Sequence, residues 1–126
     1  MADAKPKVLL VEDDPFMSNL LSTELAREGF AVVYAPNGEE AIARFKESRP
    51  DVMVIDVLLP KKNGIEALRE IRALEGGRAV PAIILSNVEE SGYVAEAEKL
   101  GIKAYLIKAN VQLPEIAAKV KEALKG

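Results

Sequence analysis

The chain contains no cysteine, no histidine and no tryptophan. Without cysteine there is no disulfide framework, no thiol nucleophile and no zinc site of the cysteine type. Without histidine there is no imidazole base and no Ser-His-Asp triad, which removes most catalytic machinery. Seventeen Lys and Arg stand against twenty Asp and Glu, a net charge of −3. No basic cluster offers a surface to nucleic acid or anionic lipid, so neither DNA binding nor membrane binding is expected of this chain itself. No apolar run approaches membrane-spanning length, and the opening Met-Ala-Asp-Ala-Lys-Pro-Lys lacks the apolar core of a signal peptide. The expected location is cytoplasmic. At 126 residues the chain fits one domain with enough mass for a real core.

What the sequence does have is strict alternation. Apolar runs near residues 7–11, 31–34, 52–55, 81–86 and 103–107 read as buried strands. Between them lie helical patterns. Asp14 and Pro15 open the first, Met17, Leu20, Leu21 and Leu25 form its apolar stripe, and Gly29 ends it. The second follows Asn37-Gly38 and buries Ala41, Ile42 and Phe45. A third runs from near Gly64 through Ile65, Leu68 and Ile71 to the pair Gly76-Gly77. A fourth covers about 89–100 and halts at Gly101, and a fifth carries Ile116, Val120 and Leu124 on one side. Helix-sized, right-handed crossovers between parallel strands predict a (βα)₅ doubly wound α/β fold of flavodoxin type, with a parallel five-stranded sheet.

In such a fold the carboxyl ends of the strands form the ligand crevice, and there the apolar runs end in chemistry. Val8-Leu9-Leu10-Val11 is followed by Glu12-Asp13, and Val52-Met53-Val54-Ile55 by Asp56. Three carboxylates drawn together repel unless a cation joins them, and an oxygen-only set suits Mg²⁺. The same repulsion predicts that Asp56→Asn raises stability in the absence of metal. The fourth and fifth runs end in Ser86 and Lys108. Three acids, a hydroxyl and an ammonium on one edge are what phosphoryl transfer to a carboxylate requires, with metal, hydroxyl and lysine holding the phosphoryl oxygens. Asp56, the lone acid of the central strand, is the expected nucleophile.

In these residues and their order the chain resembles a response regulator receiver domain, the phosphoacceptor half of bacterial two-component signalling. The likeness runs from about Lys7 to Leu124, with residues 1–6 as a tail and 7–126 as a single receiver domain. It implies that Glu12, Asp13, Asp56 and the backbone carbonyl of Leu58 hold Mg²⁺. It also implies that Asp56 takes the phosphoryl group with help from Ser86 and Lys108, and that Ser86 and Tyr105 form the switch. The donor is then a histidine kinase or phosphotransfer protein, and the face made by the fourth helix, fifth strand and fifth helix meets a downstream protein, a linked output domain or a second copy in a phosphorylation-dependent dimer. Such a protein is not an enzyme beyond its own phosphorylation and dephosphorylation. Leu58 and Val88 stand where the family holds or excludes the hydrolytic water. Both are apolar, so a long-lived phosphoryl group is expected, and Asn87 is the next side chain expected to bear on phosphate lifetime.

Three departures from the family pattern stand out. Lys108 is followed by Ala109 instead of proline, and a cis bond without proline costs about 2.5 to 4 kcal/mol; the loop is therefore trans and reshaped, or strained. Asn87 replaces a very small residue beside Ser86, narrowing the entrance or adding a hydrogen bond. The fifth helix opens at Gln112-Leu113-Pro114-Glu115 without a Ser, Thr or Asp cap, so a loose first turn is expected. Two other functions fit parts of the pattern. A haloacid dehalogenase-type phosphatase needs a second acid two residues after its nucleophile, where this chain has Leu58. A receiver-like module working without phosphate has no use for crowded carboxylates. The chain ends at Gly126 just after the last helix, which fits a stand-alone regulator and an excised receiver equally.

Overall fold

A computed structural model describes residues 5–87 and 91–125. Five strands and five helices alternate: β1 (Lys7–Val11), α1 (Pro15–Arg27), β2 (Ala31–Ala35), α2 (Gly38–Ser48), β3 (Val52–Ile55), α3 (Gly64–Ala73), β4 (Ala82–Ser86), α4 (Ser91–Lys99), β5 (Ala104–Ile107) and α5 (Leu113–Lys125). All pairings are parallel and the strand order is β2-β1-β3-β4-β5. The expected flavodoxin-like sheet is therefore present. Because the chain runs from β1 outward to β2 and then crosses back to β3, the crevice opens at the carboxyl ends of β1 and β3.

The alternation of side chains along each strand builds two cores. Leu9, Val11, Met53, Ile55 and Ile84 point to one face and pack with Phe45, Ile65, Leu68, Ile71 and Ala97 from α2, α3 and α4. Val8, Leu10, Val54, Ile83 and Leu85 point to the other, against Leu21, Leu25, Ile116 and Val120 of α1 and α5. Strands covered on both sides must be apolar throughout, and all four residues of β3 are buried. Among the described residues no helix is long and apolar enough to cross a membrane.

Local chemistry fixes most helix ends. The Asp14 carboxylate accepts the Phe16 N–H at 3.0 Å, with Pro15 in the first turn. Asn37 accepts from Glu40 N–H at 2.9 Å, and Asn63 and Glu66 form a reciprocal capping box at 2.8 and 3.0 Å. Gly29, at φ 97°, makes the turn after α1.

Two ends differ from the sequence expectation. The third helix stops at Ala73, short of Gly76-Gly77. The reason is Arg72, whose half-buried guanidinium donates to the carbonyls of Gly77 (2.7 Å), Val80 (2.5 Å) and Leu100 (2.8 Å) and folds the following segment back on the helix. The first turn of α5 is not loose: the Glu115 carboxylate reaches back to accept the Gln112 N–H at 2.9 Å. Of the range expected for the fourth helix, 91–99 is helical, and 89–90 lie outside the described residues. The expected strand residues Pro81 and Lys103 fall just before β4 and β5, where the Pro81 carbonyl and the Lys103 N–H still bond to neighbouring strands.

Candidate functional site

Strand register decides which side chains meet at the carboxyl edge. Val11 lies beside Ala35 on one side and Ile55 on the other, so Glu12 and Asp56 emerge from adjacent strands at the same height. Backbone bonds fix both: Glu12 N–H donates to Ala35 O at 3.1 Å, and Asp56 N–H to Val11 O at 3.0 Å. Glu12 and Asp56 are almost completely enclosed, at 1% and 6% exposure, whereas Asp13 faces solvent. One carboxylate oxygen from each of the three lies within 4.8 Å of the others. Ser86, wholly buried, closes β4 beside Ile107, and Lys108 follows β5.

The Lys108 ammonium lies between the two buried carboxylates, 2.7 Å from Glu12 Oε1 and 2.9 Å from Asp56 Oδ2. Its positive charge sits in direct contact with both acids. Burial pushes the Glu12 carboxyl above its ordinary value; the Lys108 hydrogen bond opposes that shift and the charge of Asp56 adds to it. For Lys108, burial works to lower the ammonium pKa, but the bonds and charges of Glu12 and Asp56 outweigh it and hold the pKa above the usual lysine value. Repulsion among the carboxylates is thus already offset in part. The expectation that Asp56→Asn stabilises the metal-free protein rested on uncompensated repulsion, and the lysine removes that premise.

Three acids and one ammonium leave two formal negative charges in the cluster, which is the deficit a divalent ion neutralises. All donors are carboxylate oxygens, the chemistry that Mg²⁺ prefers. The acidic cluster therefore fits the expected metal. Asp13, exposed to solvent, presents its carboxylate on the open side of the pair.

Leu58, two positions beyond Asp56, is 57% exposed at the same edge. Tyr105 is half-buried on β5 beside Ile84 and packs against the core under α3 and α4. Val88 lies outside the described residues. Among the described residues there is no cis peptide bond; after β5 the chain enters a short 3₁₀ turn, Lys108–Asn110. Asn87 adds a hydrogen bond, its side-chain oxygen accepting the Ala109 N–H at 3.1 Å.

One contributor escaped the sequence reading. The Tyr34 hydroxyl donates to the Glu12 carbonyl at 2.6 Å, tying the acidic loop to β2. A polar aromatic near the end of an otherwise apolar run was the available signal.

The chain matches the response regulator receiver domain family over residues 8–121. It is 34% identical over 119 residues to the chemotaxis protein CheY of Thermotoga maritima, covering 94% of this chain and 93% of that one. It is 35% identical over 125 residues to the transcriptional regulatory protein TrcR of Mycobacterium tuberculosis, covering 98% of this chain but 48% of that longer protein. Among solved structures it is similar to the receiver domain of a sensor histidine kinase from Pseudomonas aeruginosa, with a TM-score of 0.88, 30% identity and coverage of 98% and 100%. That structure has a magnesium ion coordinated in its active-site cleft. The chain belongs to the response regulator receiver domain family, the signalling domains of two-component response regulators.

Proposed function

We propose that the chain is a phosphoacceptor switch, taking a phosphoryl group on Asp56 from the phosphohistidine of a kinase or phosphotransfer protein in a Mg²⁺-dependent reaction. The observation that carries this reading is the Lys108 ammonium bridging Glu12 and Asp56 at 2.7 and 2.9 Å, with Ser86 ending the next strand. In the transfer an Asp56 oxygen forms a bond to phosphorus as the bond from phosphorus to the donor nitrogen breaks. Lys108 and Ser86 would hold the equatorial oxygens, and Lys108 can turn from Asp56 toward the incoming group without leaving Glu12. Glu12, Asp13, Asp56 and the Leu58 carbonyl would hold Mg²⁺, which supplies charge neutralisation when bound. Ser86 and Tyr105 would relay the change to the face made by α4, β5 and α5, which meets a downstream protein, a linked output domain or a second copy. The reading includes a cytoplasmic setting.

The test is incubation with a small acyl phosphate and Mg²⁺, followed by intact mass. One phosphoryl group should be gained, and a chelator should prevent it. No gain at any donor concentration would overturn the proposal.

Metal binding is read separately by melting. An ion bound only to the native state at ten times its Kd stabilises by about 1.4 kcal/mol, or roughly 4 to 6 °C for a domain of this size. Asp13→Asn should shrink that response. A melting curve that millimolar Mg²⁺ leaves unmoved would rule out the site as drawn.

Lifetime is the third expectation. Leu58 cannot hydrogen-bond a water and shields the Asp56 edge, and Val88 has the same chemistry. Slow loss of phosphate should follow. Leu58→Asn with Val88→Glu supplies groups that orient the water and should accelerate loss roughly tenfold. Equal decay of both proteins after donor removal would clear these two side chains of control.

A further inference from the structure

Two of the three departures from the family pattern meet in space. Asn87 directly follows Ser86 and Ala109 directly follows Lys108, and the Asn87 side-chain oxygen accepts the Ala109 N–H at 3.1 Å. The backbone ladder between β4 and β5 pairs Ser86 with Ile107 as its last register. Beyond it the main chains part, since β5 runs into the 3₁₀ turn Lys108–Asn110. A backbone rung can no longer form there, and the carboxamide supplies one. The donor exists because residue 109 is not proline, which has no N–H. The bond thus needs both the Asn87 acceptor and a residue other than proline at 109.

We propose that Asn87 is a positioning residue for this site: by accepting the Ala109 N–H it ties the end of β4 to the turn after β5 and holds the Lys108 ammonium between Glu12 and Asp56. A lysine stem has four rotatable carbons and gains direction only from where its backbone is fixed. Tyr34 holds the Glu12 carbonyl from the opposite side at 2.6 Å, so each partner of the Glu12–Lys108 pair has its own backbone tether. The tether also makes Ser86 and Lys108 move as one unit. The consequence for phosphorylation rests on the phosphoacceptor reading, but the placement of the ammonium does not.

The test therefore has two arms. The first is the ¹⁵N–¹H signal of the Lys108 ammonium, assigned by its loss in Lys108→Arg. Asn87→Ala should shift or broaden it, and Ala109→Pro should do the same. Ala109→Gly, which keeps the N–H, should retain the wild-type signal. The second arm is the rate of Asp56 labelling by acetyl phosphate. Asn87→Ala should slow it about three- to tenfold, the worth of one hydrogen bond, and adding Asn87→Ala to Ala109→Pro should slow it no further.

An ammonium signal unchanged in Asn87→Ala would overturn the positioning role. So would a labelling rate equal to or above wild type, since Asn87 would then act only by its bulk at the entrance. If Ala109→Pro does not fold, Asn87→Ala alone decides. If wild type takes no phosphate while the ammonium signal still responds, the phosphoacceptor reading falls and the positioning role stands.

Discussion

Asp56→Asn should gain no phosphoryl group under conditions that label the wild type. The amide is close to the carboxylate in shape but is no nucleophile, so the acceptor is lost while the strand end is kept. Its stability should change little. The variant forfeits the charge-assisted bond from Lys108 at 2.9 Å, and it gains relief from the like charge of Glu12. These effects oppose each other and are each about 1 to 2 kcal/mol. Lys108 meanwhile keeps its second partner, Glu12, at 2.7 Å. The melting temperature should therefore stay within a few degrees of wild type, and the loss of labelling cannot be ascribed to unfolding. Labelling of the Asn variant equal to wild type would move the acceptor to another residue.

Gly64→Ala should be the more damaging change to the fold. A Cβ at position 64 would stand 1.9 Å from the Asp56 carbonyl oxygen and 2.8 Å from Ile55 Cγ2. Neither neighbour can retreat. Asp56 is held by its N–H to Val11, and β3 is flanked by β1 and β4 on its two sides. Gly64 itself donates to Val57 O at 2.8 Å, so the start of α3 is drawn against the strand end. Overpacking of this kind typically costs 1 to 3 kcal/mol and sometimes more; with backbone as the clashing partner, about 3 kcal/mol or more is expected. The melting temperature should fall by roughly 10 °C or more. A fall under about 2 °C would show that the loop after β3 yields readily. The absence of a side chain at 64, just before the core residue Ile65, thus serves the placement of Asp56.

Much of this was legible in the sequence because the signals are local. Short uninterrupted runs such as Val52–Ile55, set between helical patterns, read as strands covered on both faces, and the acids that follow them fall at the carboxyl edge of a parallel sheet. The cap at Asp14 is chemistry within two residues. What was not legible depends on register and strand order. The bond from Tyr34 to the Glu12 carbonyl requires β2 to lie beside β1, and the tether from Asn87 to Ala109 requires β4 and β5 to end level. Arg72 ends α3 through carbonyls 5, 8 and 28 residues away, a reason no pattern of apolar spacing contains. The stabilisation expected of Asp56→Asn weighed only the repulsion among the acids; the direct contact of Lys108 with Asp56, 52 residues away, is what the sequence does not show.

The Arg72 guanidinium has a mechanical consequence. Through Leu100 O it grips the segment just after the last turn of α4, and through Val80 O the approach to β4, both at the end of the sheet remote from Asp56. Helix α4 is thereby pinned near its C-terminus, while its first turn, at Ser91, follows the strand end that carries Ser86. A rod hinged at one end moves most at the other. If a displacement begins at Ser86, this anchor would make Arg72 the point about which α4 turns.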